Sequence, residues 1–268
     1  MPELPEVENV VRSIKNDFKL PLKIKKFTFL RKDLRWSFPQ KQLRAIEGQT
    51  ILSISRRAKY ILFTLKDHTI ISHLGMTGQW KTSPQVPELI KHDHLIIEFS
   101  EKSLVYNDPR RFGFVQVVAN LKLPEYFSAV GEEPFKDLNL DTLQKIKRAD
   151  RSIKTVLMDQ KIVVGIGNIY ASEALFRSKI KPSVKACRLS IAQIKLLYKI
   201  ADEILGQAIT AGGSSISNYL NAQQEKGRFQ QQHLVYGREG EPCSVCGSKI
   251  VRIVQTGRST FWCKACQK

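Results

Sequence analysis

The chain has 268 residues, 42% of them hydrophobic, and 43 Lys and Arg against 25 Asp and Glu give a formal net charge of +18. That length and apolar content argue for one large folded domain or two modest ones, and against a disordered chain. No run of roughly 18 to 20 uninterrupted apolar residues, the minimum for a membrane-spanning helix, is present.

Basic residues spread along the whole length favour polyanions, nucleic acid first, because neutralising phosphates releases counterions. A basic surface without a polyanionic partner is the alternative that charge alone leaves open. Near the start of the chain, which opens MPELPEVENV, the residues Val7, Val10, Val11, Ile14 and Phe18 recur at helical spacing. Pro5 suits a first helical position, and Glu6 and Glu8 stand where the helix dipole favours negative charge. This helix leaves Pro2 and Glu3 without a role. An acidic, proline-bearing start is also the reverse of a secretory signal, so a cytoplasmic location is expected, nucleoid-associated in a bacterium.

From residue 22 to about residue 118, the segments LKIKKFTF, TILSIS, YILFTL, TIISHL, HLIIEF and GFVQVV are short, rich in β-branched and aromatic residues, and separated by polar turns. Their connections are too short for crossover helices, which predicts an antiparallel two-layer sandwich or a barrel-like domain. Beyond about residue 138 the pattern turns helical. SIAQ at 190–193 is a capping box opening a helix through Ile194, Leu197, Ile200, Ile204 and Leu205 to a stop at Gly212 and Gly213. NAQQEKGRFQQQ at 221–232 reads as an exposed, mobile loop.

Four of the five cysteines form two CxxC pairs, Cys243 with Cys246 and Cys263 with Cys266, at a spacing that suits a tetrahedral four-thiolate zinc site. A pair of disulfides is the alternative. Cys187 is left over and reads as a buried small hydrophobe. Pro2 offers chemistry of another kind. Removal of an initiator methionine ahead of this small residue would leave a secondary α-amine, a group that deprotonates at about pH 8 and is nucleophilic near neutrality. Its attack on a sugar aldehyde carbon gives an iminium ion, an electron sink, with Glu3 beside it as a proton shuttle.

Seven motifs then fall in order: MPELPEVE at the start, RRAKY at 56–60, HLGMTG at 73–78, DPRRFG at 108–113, VGIGNIYASEALF at 164–176, VYGR at 235–238, and the terminal ribbon containing GRSTFWCKACQ. Together they resemble the formamidopyrimidine-DNA glycosylases, also called 8-oxoguanine DNA glycosylases, over nearly the whole chain. Leu4 sides with this branch against the related endonuclease VIII enzymes. The resemblance implies an α+β protein: an N-terminal antiparallel β-sandwich with a flanking helix over 1–131 and a linker over 132–138. A helical helix-two-turn-helix domain with a lesion-capping loop over 139–232 and a C-terminal β-hairpin zinc finger over 233–268 would complete it.

It also implies a base-excision-repair enzyme, a monomer acting on damaged double-stranded DNA, that removes 8-oxoguanine and formamidopyrimidines and then cleaves the strand by β,δ-elimination. Pro2 would be the nucleophile at the deoxyribose C1′, Glu3 the acid at the sugar ring oxygen, and Lys59 a general acid or electrostatic aid near the lesion. Met76, Arg110 and Phe112 would fill the gap left by the extruded nucleotide, recovering part of the few kcal/mol that flipping costs. His73 and Arg111 would lie on phosphates. Asn168, after Gly165 and Gly167, would offer donors to the DNA backbone, and Arg258 in TGRST would grip a phosphate. Ser217 and Tyr236 are the base-pocket candidates.

The zinc would be structural, because four thiolates leave no open coordination position. The segment 215–232, which in the family covers the everted base largely through backbone contacts, departs most from the family pattern. Three alternatives stay open: an endonuclease VIII-like preference for oxidised pyrimidines, a non-catalytic DNA-binding zinc protein, and a basic ribosome-associated zinc protein.

Overall fold

The computed structural model describes residues 2–84, 87–215 and 219–268. Residues 1–128 and 211–228 form one compact unit, and residues 129–210 and 229–268 a second. Chain order groups 211–228 with the helical region, whereas its contacts place it in the first unit.

The first unit begins with helix α1 (Leu4–Asp17). Its Val7, Val10, Val11 and Ile14 are at most 4% exposed, so the helix is fixed by burial of one apolar face. Ten strands come next: β1 (Leu22–Lys23), β2 (Lys26–Phe29), β3 (Thr50–Ile51), β4 (Ser53–Arg57), β5 (Tyr60–Thr64), β6 (His68–His73), β7 (Gln79–Pro84), β8 (Asp93–Glu98), β9 (Lys102–Asn107) and β10 (Phe114–Ala119). Two short helices, α2 (Gln40–Ala45) and α3 (Leu123–Tyr126), interrupt and end the series.

Eight of the strands make two four-stranded sheets, ordered β10-β6-β5-β4 and β2-β8-β9-β7, with every pairing antiparallel. Ile54, Ile61, Phe63 and Ile70 of the first sheet share one core with Trp80, Leu95, Ile97, Leu104 and Tyr106 of the second and with the inner face of α1. This is the predicted sandwich. Strands β7 and β9 are additions to the sequence reading. QWKTSP in β7 has one large apolar side chain, and KSLVYN in β9 is buried at five consecutive positions, so neither shows period-two alternation.

The second unit holds α4 (Leu140–Arg148), α5 (Ile153–Leu157), α6 (Asn168–Arg177), α7 (Ile191–Thr210) and the hairpin of β11 (Val251–Gln255) with β12 (Arg258–Trp262). The expected box at α7 is present: the Gln193 amide donates to Ser190 Oγ at 3.1 Å and the Ser190 amide to Gln193 Oε1 at 2.8 Å. Helix α6 is buried continuously from Ile169 to Phe176, which makes it the central helix of this unit. Cys187 differs from its reading: it is half-buried, and its thiol faces Asp150 Oδ1 at 3.7 Å.

Candidate active site

The head of α1 is built by carboxyls. Pro2 is buried, and Glu3, 3% exposed, is the N-cap of the helix. The Glu3 amide donates to Glu6 Oε2 at 2.8 Å, half of a capping box. The Ser214 amide donates to the other oxygen, Glu6 Oε1, at 2.7 Å. Glu6 is therefore a buried double acceptor rather than a surface charge on the helix dipole, a role that depends on a residue 208 positions away.

Glu8 fixes α1 on the first sheet. Its carboxyl takes Arg56 Nε at 3.1 Å, and Arg56 Nη1 donates onward to the Ala58 carbonyl at 3.0 Å. Ala58 has φ 53, the left-handed conformation that the tight β4–β5 turn requires. Lys59 is the second residue of that turn and is 5% exposed. The RRAKY motif thus places its lysine through its first arginine, which is anchored on the helix that carries Pro2 and Glu3.

The charge of Lys59 is felt at His73. Burial first, then Lys59 and Arg35, hold the His73 imidazole down to about pKa 4, so the ring is neutral at physiological pH. The Gly75 amide donates to His73 Nδ1 at 3.0 Å, which leaves the ring proton on Nε2. His73 can therefore meet a phosphate as a neutral hydrogen-bond donor, without a full charge.

Two loops next to His73 present Met76, Arg110 and Phe112. Buried Asp108 accepts from Thr77 Oγ1 at 2.5 Å and from the Gly113 amide at 2.9 Å, stitching HLGMTG to DPRRFG. Gly75 and Gly113 pass so close that a Cβ on Gly75 would collide with the Gly113 backbone. Held in this way, Met76 is 38% and Phe112 45% exposed, with the Arg110 guanidinium 4.7 Å above the Phe112 ring. These three, with His73, Arg111 and Arg35, line a cavity of about 670 Å³. The hydrogen bonds fix the backbone of both loops and leave Met76 and Phe112 as exposed apolar side chains on it.

Arg35 is a site residue that sequence reasoning misses. Its amide donates to the Gly113 carbonyl at 3.2 Å and its guanidinium lies 5.3 Å from the Trp36 ring centroid. The only available signal is an arginine beside a tryptophan in LRW.

In the second unit, the Asn168 side chain opens α6. Its Nδ2 donates to the Ser259 carbonyl at 2.9 Å and its Oδ1 accepts from Lys154 Nζ at 2.6 Å. Lys154, 2% exposed, also reaches Thr260 Oγ1 at 2.6 Å. Asn168 is thereby bound to the hairpin whose first β12 residue is the exposed Arg258. Thr256 (φ 47) and Gly257 (φ 73) make the left-handed two-residue turn that sets Arg258 at the tip.

The Tyr236 hydroxyl lies 3.5 Å from Asn168 Nδ2 and its ring packs edge-on to Phe261 at 5.0 Å, so it joins this group. Buried Glu173 accepts the amides of Leu234, Val235 and Tyr236 at 2.9 to 3.0 Å and seats that strap. Ser217 lies outside the described residues.

The sulfurs of Cys243, Cys246, Cys263 and Cys266 lie within 4.8 Å of one another. The Cys243–Cys266 and Cys246–Cys263 distances are 3.9 Å and 3.4 Å. Sulfurs about 2.3 Å from a tetrahedral zinc stand roughly 3.8 Å apart, so the cluster fits that ion. All four are free thiols, so the disulfide alternative falls. The site is structural, with no fourth position left for water.

Comparison with known proteins covers the whole chain. Residues 1–115 match the formamidopyrimidine-DNA glycosylase N-terminal domain, residues 130–219 the H2TH domain of the same proteins, and residues 240–268 the zinc finger found in FPG and IleRS. Curated proteins named formamidopyrimidine-DNA glycosylase from Bdellovibrio bacteriovorus and Gluconobacter oxydans are 46% and 44% identical, each over 100% of both chains. A wild-type Lactococcus lactis Fpg in complex with DNA containing N7-benzyl-Fapy-dG superposes with a TM-score of 0.91 at 35% identity, over 100% of both chains. A MutM in complex with DNA containing carbocyclic 8-oxo-G superposes with a TM-score of 0.90 at 36% identity, over the same share.

Proposed function

The chain belongs to the formamidopyrimidine-DNA glycosylase family, and on that premise we propose that it excises oxidised purines from duplex DNA through Pro2 and then cleaves the strand. Once Met1 is removed, the Pro2 amine attacks C1′ of the damaged nucleotide. The glycosidic C1′–N bond breaks and the base departs with its electron pair, taking up a proton. Glu3 protonates the ring oxygen, the sugar opens, and an iminium joins C1′ to the Pro2 nitrogen. The iminium acidifies C2′, whose proton loss expels the 3′ phosphate from C3′; the resulting conjugated iminium acidifies C4′, whose proton loss expels the 5′ phosphate from C5′. Water then hydrolyses the iminium and frees Pro2.

Lys59 supplies positive charge beside the reacting sugar. Met76 and Phe112 fill the space of the extruded nucleotide, and Arg110 faces the orphaned partner base. His73 donates to a phosphate as a neutral ring, and Arg111 adds charge to the same surface. In the second unit Asn168 and Arg258 hold backbone phosphates, with the Tyr236 hydroxyl beside Asn168. Zinc keeps the hairpin folded and Arg258 at its tip. No described helix is long and apolar enough to cross a membrane, and the reading places the enzyme, as a monomer, on cytoplasmic or nucleoid DNA.

The observation that carries this reading is the buried Pro2–Glu3 pair at the head of α1, with the Glu3 amide fixed by Glu6. The test is borohydride trapping on a duplex with one 8-oxoguanine opposite cytosine. We expect a covalent adduct with the native chain and none with Pro2→Gly or with protein retaining Met1. Tight binding by the native chain without adduct or strand cleavage would overturn the reading.

A further inference from the structure

Much of the basic excess of the chain lies in one stretch. Residues 19–44 carry nine lysines and arginines and a single acid, Asp33, so nine against one leaves +8 of the total of +18. That acid is committed, with Oδ1 3.0 Å from Arg31 Nε and 4.0 Å from Arg111 Nη1. In the fold the stretch forms one margin of the first unit: β1, then β2, the outer strand of its sheet, then the loop 30–38, then α2. Lys25 and Lys26 are exposed at the start of β2, Arg31 and Lys32 in the loop, and Lys41 and Arg44 on α2. Apolar packing ties these elements together. The Phe29 ring of β2 lies 5.8 Å from that of Phe38, and the Arg44 guanidinium 6.0 Å from Phe29. The Phe38 amide closes the loop on the Lys32 carbonyl at 3.1 Å. The same loop reaches the cavity beside His73, where Asp33, Leu34 and Arg35 form part of the lining. Lysine on an edge strand is an ordinary guard against strand pairing, which accounts for Lys25 and Lys26. It does not account for Arg31, Lys32, Lys41 and Arg44, which lie off the ladder, and α2 (QKQLRA) carries no acid to pair with its own cations.

We propose that this margin, from Lys25 to Arg44, is a further docking surface for duplex DNA, taking phosphates of the duplex that continues beyond the lesion. The inference rests on the function proposed above, which puts a duplex against Met76, Arg110 and Phe112. Like charges held together repel, and phosphates relieve that repulsion while releasing counterions. A duplex leaving the cavity meets Arg31 and Lys32 first and the α2 cations next. Contacts of this kind position the protein and read no sequence. Single strands are the poorer fit, because they are held by aromatic rings open to stacking. Phe27 and Phe38 are buried, and the exposed Trp36 is packed on Phe114 at 4.4 Å between ring centroids and on the Arg35 guanidinium at 5.3 Å.

The experiment measures DNA affinity against salt for the native chain and two double variants, Lys25→Gln with Lys26→Gln and Lys41→Gln with Arg44→Gln. Each is tested on a short duplex centred on 8-oxoguanine, on the same duplex lengthened by two helical turns at each end, and on undamaged duplexes of both lengths. Native protein should gain affinity and salt dependence on the longer duplexes. Each lost phosphate contact lowers the slope of log affinity against log salt by about 0.9, so each pair should lower it by about 1 to 2 on the long duplexes. On the short ones the variants should match native protein, as should their single-turnover excision at saturating enzyme. Native slopes on the long duplexes, with or without aggregation of the variants, would leave the lysines as guards of an edge strand and overturn the proposal. So would equal losses at both lengths, which would make the margin part of the lesion contact, or an equal loss on single-stranded RNA, which would make it a surface for any polyanion. The glycosylase reading stands or falls separately, on the borohydride adduct, since the length effect is also read on undamaged DNA.

Discussion

The head of α1 and the zinc hairpin each hold a few functional atoms at the end of a secondary-structure element, by opposite means. At α1 the helix lies on a core shared by two sheets, and Glu6 and Glu8 commit their oxygens to backbone amides and to Arg56. The hairpin has a small core of Phe176, Val235, Ile250, Phe261 and two of its cysteines, so it relies on four thiolates and on the amides seated by Glu173. A large core tolerates the loss of one tie, whereas a small one depends on its metal.

Removing zinc should split the two regions most sharply. Structural zinc is worth on the order of 10 kcal/mol or more to such ribbons. Chelation, or Cys246→Ser, should abolish amide-exchange protection in 251–262 while the strands around Trp80 keep theirs. Collapse of both regions together would break the comparison. Next in size is Glu3→Gln, which removes a proton donor and leaves both cores intact. Excision should fall by about 10² to 10⁴-fold in single turnovers, with the melting temperature little changed.

Glu6→Gln tests the carboxyl as a scaffold. An amide offers one acceptor oxygen to two backbone amides, so one buried N–H faces an NH₂ group, and unfolding in urea should show a loss of about 1–3 kcal/mol. An unchanged midpoint would mean that the cap is dispensable. On the hairpin side, Arg258→Ala should weaken DNA binding uniformly across sequences and lower the slope of log affinity against log salt by about 1. The smallest effect is a titration. With its pKa near 4, His73 should show no NMR inflection between about pH 5.5 and 8. Because the folded value lies below that of the unfolded chain, the unfolded state takes up the proton first. The contribution of His73 to stability is therefore complete above about pH 6.5 and falls as pH drops toward 4.

Much of the architecture was legible because it rests on local pattern. The stripe Val7, Val10, Val11, Ile14, the Ser190–Gln193 box and the CxxC spacing each need only a few neighbouring residues, and each appears as expected. The loop 221–232 does not. Its polar composition predicts exposure, yet Ala222 is buried on Ser13 and Phe229 is fully buried in the second unit. Glu6 misleads for the same reason, since a glutamate in a first helical turn looks like a dipole partner until Ser214 is found on its second oxygen.

The sequence alone, through composition, periodicity, spacing and a run of ordered motifs, determined the class of fold, the zinc ligands, and Pro2 and Glu3 as the residues to test. Those features survive reading in one dimension because each is a property of the side chain or of a short span of backbone. Only the tertiary structure decided that Glu6 accepts from the distant Ser214 amide as well as from Glu3, that Arg35 stands with Arg110 and Phe112 around one cavity, that His73 is neutral, and that Ser214, Tyr219 and Ala222 sit on α1. Burial, solvation and hydrogen-bond partnership depend on groups as far apart in the chain as Glu6 and Ser214, and such neighbours exist only once the chain has folded.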